Sequence, residues 1–352
     1  MNKQTKYAIN GALIGGAAFG ILDGAKQYNE IQESSSKDFD WGRFLLAIGK
    51  GAVIGGAGGF LLGAWEDYEN SKIRPVNTDL GLISFSDKIR LDENHPTYIQ
   101  LKEKGQSIIF MLLTRYGSLI ESTPMLGSTV NGTALKSKFD IDYAINFRSN
   151  AFRNIQEMFD SLYDFFEDSV GKNGITGIRR QRKSIGVFVR IDGVKRKIDF
   201  APCKLSKGKR SGAGYLHVND DSIFGRSSYT KTNVRELNKV KLSPTQRRIV
   251  LLLKNWKEKN DLPLSSHLLQ NLVLDAYAFA PSKPKGFTTQ VLMVLRHMAD
   301  NLHVAFIRGV ENTNNVITAI PQSDKDIIAA SAREVIQEYE YQPNSIMGMM
   351  FH

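Results

Sequence analysis

Two aspartates separated by a single residue, Asp140 and Asp142, are the side chains of this sequence best suited to bind a metal ion. Residues 139–143 alternate apolar and acidic side chains, a pattern typical of a β-strand, and a period of two places both carboxylates on one face. Adjacent carboxylates repel each other, and a hard divalent cation that also takes phosphate oxygens compensates for that repulsion. The pair therefore indicates a divalent metal site that acts on phosphate groups.

A glycine-containing turn precedes the two aspartates. Gly127 and Ser128 end an apolar run, and Gly132 and Thr133 follow four residues later, which predicts a strand, a tight turn and a short helix. Glycine lets the backbone approach a ligand closely, and the N–H groups at the start of a helix point toward that ligand. We therefore expect Gly127 and Ser128 to bind phosphate.

A third carboxylate, Asp199, is predicted to lie on an inner strand of the same sheet. Residues 184–191 alternate like a strand, Asp192-Gly193 is a strong hairpin signal, and residues 194–201 form the returning strand. Asp199 then shares a face with two lysines of its own strand. Three aspartates can hold two Mg²⁺ ions, or Mn²⁺ in their place, which would polarise an attacking hydroxyl and neutralise a leaving pyrophosphate.

The spacing of these residues resembles a known signature. Gly127-Ser128, then eleven residues, then Asp140 and Asp142, with Asp199 on a later strand, is similar to the nucleotidyltransferase motif of the polymerase-β superfamily. The branch it resembles most contains the cyclic GMP-AMP synthases, the oligoadenylate synthetases and the bacterial CD-NTases. Bacterial members of that branch make nucleotide alarm signals in antiphage defence.

A second stretch, residues 251–257 and 262–269, resembles the downstream signature of the same group. Lys254, placed opposite the Gly127-Ser128 turn, is expected to neutralise a triphosphate. The resemblance implies that Ser266 contacts phosphate, although simple capping of the following helix explains this serine equally well. It also implies that His267 occupies a base-stacking position, where the relatives often carry tyrosine.

Charge is distributed unevenly along the chain, whose formal net charge is +10. Residues 172–210 hold 13 lysines and arginines against two aspartates. A solvated surface is one interpretation of this basic segment, and contact with triphosphates or a nucleic-acid strand is the other. Cys203 is the only cysteine, so an internal disulfide is excluded and a reducing, cytoplasmic location is expected.

The N-terminal region differs in composition from the rest of the chain. Residues 11–22 and 51–62 form an internal repeat of glycine-zipper type, in which small residues let two helices approach closely. We predict a helical hairpin over residues 7–65. Three roles remain open for it: membrane association, self-association, and packing against the catalytic body, each restraining where or when that body acts.

Together these features predict an α/β protein with a polymerase-β-like nucleotidyltransferase sheet and a helical C-terminal lobe. The expected divisions are a hairpin at 1–70, a nucleotidyltransferase core at 71–235 and a nucleotide-clamping lobe at 236–352. Within the core, residues 97–116 are predicted to form a long helix. Residues 71–96 are predicted to be a connector, and residues 212–229 a loop that crosses between lobes.

The resemblance implies an enzyme that makes a cyclic or linear oligonucleotide second messenger from nucleoside triphosphates and releases pyrophosphate, with a downstream effector receiving the product. Two rival functions stay open. One is nucleotide transfer to tRNA or to a protein target. The other is a membrane-binding or self-assembling nucleotide sensor without turnover, although three uncompensated acids in one cleft would be costly unless a metal is bound. The base preference is not predicted.

Overall fold

The computed structural model describes residues 77–207, 212–219 and 228–351. The glycine-zipper hairpin predicted for residues 7–65 lies outside these residues. The described residues belong to a single unit that spans residues 77–352.

A mixed β-sheet forms the centre of the first lobe. The described residues contribute eight strands: β1 (Ile120–Ser122), β2 (Met125–Leu126), β3 (Ile141–Phe147), β4 (Ile175–Arg180), β5 (Ile185–Ile191), β6 (Val194–Leu205), β7 (Ala213–Val218) and β8 (Ser228–Asn233). The strand order is β1-β3-β6-β5-β4, with β2 paired to β3, β7 paired to β6, and β8 paired to β7. Only the central pair, β3 and β6, is parallel among these pairings.

The β5–β6 hairpin predicted from Asp192-Gly193 is present. Asp192 and Gly193 have φ angles of 50° and 77°, which is the left-handed geometry that a two-residue hairpin turn requires. The apolar residues that alternate along both strands are buried against the helices, among them Val187 and Ile198. Burial of that face fixes the register, so the opposite face of β6 presents Asp199.

Helices complete both lobes of the described chain. They are α1 (Thr78–Ile89), α2 (Pro96–Tyr116), α3 (Gly127–Val130), α4 (Ile155–Asp168), α5 (Val234–Lys239), α6 (Pro244–Lys259), α7 (Ser266–Phe279), α8 (Phe287–Asn301), α9 (Gln322–Tyr341) and α10 (Ser345–Phe351). The long helix predicted over residues 97–116 is confirmed as α2. No helix in the described part of the chain is both long and apolar enough for a membrane span.

Two apolar cores hold these elements together. In the first, α2 and α4 cover one face of the sheet, and Phe166 of α4 packs on Phe200 of β6 with ring centroids 5.1 Å apart. In the second, α6 to α10 pack around fully buried residues such as Leu253 and Leu295. A capping box at Ser243 and Gln246 starts α6, and Pro244 occupies its first turn.

The prediction of a connector over residues 71–96 is wrong for its described part, because α1 is a helix. Asn77 accepts a hydrogen bond from the Leu80 amide and therefore starts the helix. Gly81 lies inside α1, where a Cβ would collide with the side chain of Met347. Leu82 of α1 is fully buried in the second core, so packing outweighs the poor helix propensity of glycine.

The predicted 212–229 loop and the basic segment both contribute to strands. Residues 213–218, within the predicted 212–229 loop, form β7, which pairs with β6 and β8. In the basic segment, Arg179 and Arg180 end β4, while Lys204 and Leu205 end β6. β4 is an edge strand of the sheet, and basic side chains on an edge strand are a common means of blocking further strand pairing.

The side chain of Asp79 in α1 caps the start of α8 in the second lobe. Its carboxylate accepts hydrogen bonds from the backbone N–H groups of Phe287 at 3.0 Å and Thr288 at 2.7 Å. These are free N–H groups at the start of α8, whose N-cap residue, Gly286, has no side chain to bind them. Burial raises the pKa of Asp79, but the bonds from Thr288 and Phe287 outweigh it, so the pKa lies below its ordinary value.

We expect Asp79→Ala to lower the free energy of unfolding by about 1 kcal/mol, as loss of an N-cap does. Because the folded-state pKa of Asp79 is depressed, the stabilisation is present above the unfolded-state pKa and is lost as pH falls through the folded-state value. Urea unfolding at pH 7 and at low pH measures both effects. Glu334→Ala, at an exposed position of α9, is the matched control. Equal stability of wild type and Asp79→Ala at pH 7 would refute the cap.

Candidate active site

The Gly127-Ser128 turn lies directly against Asp142, one of the three aspartates that the sequence predicts to bind metal. Leu126 is extended, and α3 begins at Gly127, which has a φ of 79°. A Cβ at this position would collide with Oδ2 of Asp142. Glycine is therefore required both by the backbone angle and by the close approach of the carboxylate.

The three aspartates lie at the centre of the sheet. Asp142 on β3 and Asp199 on β6 are direct partners in the parallel pairing of those strands, and Asp140 immediately precedes β3. The ammonium of Lys197 bridges two of them, 3.0 Å from Oδ2 of Asp140 and 2.7 Å from Oδ2 of Asp199. Gln181 donates a hydrogen bond of 2.9 Å to Oδ1 of Asp199.

The electrostatics of this cluster favour a bound cation. Burial, followed by the negative charges of Asp140 and Asp199, raises the pKa of Asp142 to about 7. Burial also raises the pKa of Asp199, although Lys197 opposes the shift. Lys197 and Lys254 lower the pKa of Asp142 but do not offset burial and the neighbouring carboxylates. Asp142, which has Gly127 on its other side, therefore carries the uncompensated repulsion of the cluster.

The donor set fits a hard divalent cation. All three side chains offer carboxylate oxygens, the ligand type that Mg²⁺ prefers, and their repulsion is the force that such an ion would relieve. Within the described residues, no three side chains of the usual ligand types converge closely enough to enclose an ion. Lys197 holds Asp140 and Asp199 together instead, so its ammonium is the cation these two carboxylates share here.

Lys254 reaches the site from α6 in the second lobe. Its side chain is buried, with 7% relative exposure, and its Nζ donates a hydrogen bond of 2.8 Å to the carbonyl oxygen of Thr133. Thr133 belongs to the loop after α3, so Lys254 lies close to the Gly127-Ser128 turn. Burial, with a contribution from Lys257, lowers the pKa of Lys254 to about 8, which still leaves this lysine mostly protonated at pH 7.

Ser265 and Ser266, at the start of α7, have different structural roles. Ser265 is the N-cap and accepts a hydrogen bond from the Leu268 amide. Ser266 is the first helical residue and lines the cavity that contains the aspartates. His267 lines the same cavity, with its Nε2 3.8 Å from Oε1 of Glu311. The capping that the sequence offered as an alternative role for Ser266 therefore belongs to Ser265.

All eight residues singled out in the sequence surround one cavity of about 440 Å³ between the sheet and the helical lobe. They are Gly127, Ser128, Asp140, Asp142, Asp199, Lys254, Ser266 and His267. Further lining residues were missed, including Asn131, Lys183, Asn238, Gln270 and Asn271.

Of the two side chains that bond to Asp199, one was predicted from the sequence and the other was not. Lys197 lies two residues before Asp199, so the period of the strand already places it on the same face. Gln181 reaches Asp199 from the end of β4, across the neighbouring β5 strand. Its contribution depends on how three strands pair, which the local sequence does not encode.

Lys254→Met is expected to weaken the binding of a nucleoside triphosphate roughly tenfold to a hundredfold, the effect of losing a charge-assisted hydrogen bond to phosphate. Methionine keeps most of the buried volume, which limits damage to the second core. Titration with a non-hydrolysable triphosphate measures the change. Lys241→Met, at an exposed position just before α6, is the control, and unchanged affinity in Lys254→Met would exclude a phosphate contact.

Comparison with known proteins identifies the fold. No protein-family model matches the chain, and no curated protein matches it in sequence. Solved structures do match. CdnC of E. coli MS115-1, solved in a complex with HORMA-deltaN, gives a TM-score of 0.58 at 18% identity over 77% of this chain and 93% of that one.

Two other solved structures agree with the first. The CD-NTase CdnG of Bradyrhizobium diazoefficiens, solved with GTP, gives a TM-score of 0.57 at 12% identity, covering 77% of this chain and 95% of its own. CdnE of Elizabethkingia meningoseptica, a cyclic dinucleotide synthase solved with GTP and Apcpp, gives 0.52 at 15% identity, covering 75% and 98%.

The chain therefore has the polymerase-β-like nucleotidyltransferase fold, in the form found in the CD-NTases. The fold class expected from the Gly-Ser and Asp-x-Asp motifs is confirmed for the sheet and the helical lobe.

Proposed function

We propose that this protein is a metal-dependent nucleotidyltransferase that joins nucleoside triphosphates into a cyclic or linear oligonucleotide and releases pyrophosphate. The observation that carries the proposal is the meeting of three elements at one cavity. These are the Gly127-Ser128 turn, the three aspartates of the sheet, and Lys254 from the opposite lobe. A cavity of about 440 Å³ is within the range of small-molecule sites.

Asp140 and Asp142 would hold both Mg²⁺ ions, and Asp199 would hold the one nearer the attacking hydroxyl. When bound, the ions supply charge neutralisation at the phosphates and make a ribose hydroxyl a better nucleophile. Gln181 and Lys197 fix the orientation of the Asp199 carboxylate through their bonds to its two oxygens. Orientation of this kind determines whether a carboxylate presents a usable lone pair.

The remaining residues would bind and position the nucleotide. Ser128 and the backbone N–H groups of α3 would hold the β- and γ-phosphates, since a left-handed glycine followed by a helical turn points successive N–H groups at one place. Lys254 and Ser266 would contact the same phosphates from the second lobe. His267, at the start of α7, would stack against the base.

The structural neighbours support a small-molecule product, because one of them, CdnE, is a cyclic dinucleotide synthase and another, CdnG, was solved with GTP. We propose accordingly that the product is a second messenger read by a downstream effector, with a role in antiphage signalling.

The test is to incubate the purified protein with all eight ribo- and deoxyribonucleoside triphosphates and Mg²⁺, and to identify the products by mass spectrometry. Formation of an oligonucleotide that is absent from a parallel reaction with Asp142→Asn would support the proposal. Labelling of added tRNA or protein, without a free oligonucleotide, would favour the macromolecular targets instead. Nucleotide binding without any new covalent product would indicate a sensor.

A further inference from the structure

A second cavity adjoins the catalytic one at its phosphate-binding side. It has a volume of about 290 Å³, and Ser128, Asp140, Lys254 and Ser266 line both cavities. Its remaining lining comes mainly from the segment before β3 and from the first residues of β6. The two cavities are therefore neighbours that share a wall made of the candidate phosphate ligands and Asp140.

The lining of this second cavity is strongly basic. Five cations face it: Lys138, Lys195, Arg196, Lys197 and Lys254. Only Asp140 and Glu258 among the lining residues are acidic, and each is paired, Asp140 with Lys197 at 3.0 Å and Glu258 with Lys138 at 2.5 Å. The five cations outnumber the two carboxylates by three, and Glu258 is shared between Lys138 and Lys257, so the lining indicates an anionic ligand.

Among the cations of this cavity, Arg196 gives the most specific indication that an anion binds there. Its Nε is buried and has no hydrogen-bond partner, and a buried donor left unsatisfied is costly. The guanidinium carbon lies 5.7 Å from the centroid of the Phe139 ring, a position that holds the planar group in place. An oxygen-rich anion in the cavity would satisfy this donor.

We propose that this cavity binds the pyrophosphate released by the reaction, with Arg196 and Lys138 as its ligands. The inference rests on the proposed function. Attack by a ribose hydroxyl forms the new oxygen-to-α-phosphorus bond and breaks the bond between the α-phosphorus and the oxygen that bridges it to the β-phosphate. That oxygen leaves with its electron pair as part of pyrophosphate, and the hydroxyl proton is released. The cavity lies directly beyond Ser128, Lys254 and Ser266, where the β- and γ-phosphates would be held.

The experiment is calorimetric titration of the full-length protein with inorganic pyrophosphate in the presence of Mg²⁺. Arg196→Gln is expected to weaken binding tenfold or more, as loss of a charge-assisted hydrogen bond does. Lys138→Gln, at an exposed side chain, is expected to weaken binding less. Arg190→Gln, on β5 of the same hairpin with its Nη1 bonded to the Gly193 carbonyl, is the matched control and should bind as wild type does.

A parallel titration uses a triphosphate analogue with a methylene group between its α- and β-phosphorus atoms. Arg196→Gln should bind this analogue within about twofold of wild type, since Ser128, Lys254 and Ser266 hold its phosphates. Equal pyrophosphate affinity in wild type, Arg196→Gln and Lys138→Gln would overturn the proposal. It would also be overturned if Arg196→Gln lost affinity equally for pyrophosphate and for the triphosphate analogue.

These readouts do not depend on turnover. If the protein forms no oligonucleotide but shows the expected pyrophosphate losses, the binding site stands and the proposed reaction fails. If it forms the oligonucleotide while the variants bind pyrophosphate normally, the reaction stands and the site fails. Thermal melting tests whether Arg196→Gln is folded, and Lys138→Gln, at an exposed side chain, provides a second test of the site.

Discussion

Asp142→Asn and Asp199→Asn are each expected to lower oligonucleotide synthesis roughly a thousandfold or more, because a catalytic metal contributes several kcal/mol to the transition state. Each change removes one charged ligand from a set of three. Asparagine has nearly the same shape as aspartate, so the packing between β3 and β6 should persist. Turnover per unit time, measured with saturating triphosphates and Mg²⁺, gives the size of the loss.

Stability should respond in the opposite direction. Burial and the neighbouring charges of Asp140 and Asp199 raise the pKa of Asp142 to about 7, so ionised Asp142 is unfavourable in the folded protein. A neutral asparagine relieves that repulsion, and Asp142→Asn is expected to melt at or above the temperature of the metal-free wild type. Asp300→Asn, at an exposed position of α8, is the control. Turnover within a few-fold of wild type in Asp142→Asn would contradict the metal-binding role.

The three aspartates and Gly127 could be predicted because they obey local rules, whereas the roles of Ser266 and His267 followed only from the resemblance to a known signature. Asp140 and Asp142 follow the two-residue period of a strand, and the Asp192-Gly193 turn fixes which face of β6 carries Asp199. Gly127 could be recognised because it ends an apolar run at a tight turn, and the structure shows why glycine is required there: the turn is left-handed and a Cβ would collide with Asp142. What the sequence does not encode locally is the parallel pairing of β3 and β6, which brings Asp142 and Asp199 into register.

The errors arose where tertiary packing outweighed local signals. Asn77 and Gly81 indicated a break in helical structure, yet Asn77 caps α1 and Gly81 makes room for Met347. The contact of Lys254 with a triphosphate stays a prediction, but the burial of this side chain was not evident from the sequence. The carbonyl oxygen of Thr133 in the other lobe accepts the hydrogen bond of the buried ammonium. The pattern of residues along one helix does not predict such contacts between segments that are distant in sequence.

Lys197→Met is expected to destabilise the metal-free protein by about 1–3 kcal/mol. The ammonium of Lys197 is bonded to Asp140 and Asp199, and the side chains of Lys197 and Asp199 are only 24% and 11% exposed. The effect should therefore fall between that of an exposed ion pair and that of a buried one. Methionine preserves the length of the side chain while removing its charge, so the loss reports the ion pairs more than the packing.

Added Mg²⁺ should recover more stability in Lys197→Met than in wild type. In wild type the ammonium already neutralises part of the charge on Asp140 and Asp199, so a divalent ion gains less by binding there. In the variant the same carboxylates have no such partner, and tighter metal binding to the folded state raises its stability further. Melting temperatures with and without Mg²⁺ measure the difference, with Lys231→Met on the exposed part of β8 as the control. An equal Mg²⁺-induced shift in the two proteins would mean that Lys197 and the metal do not share these carboxylates.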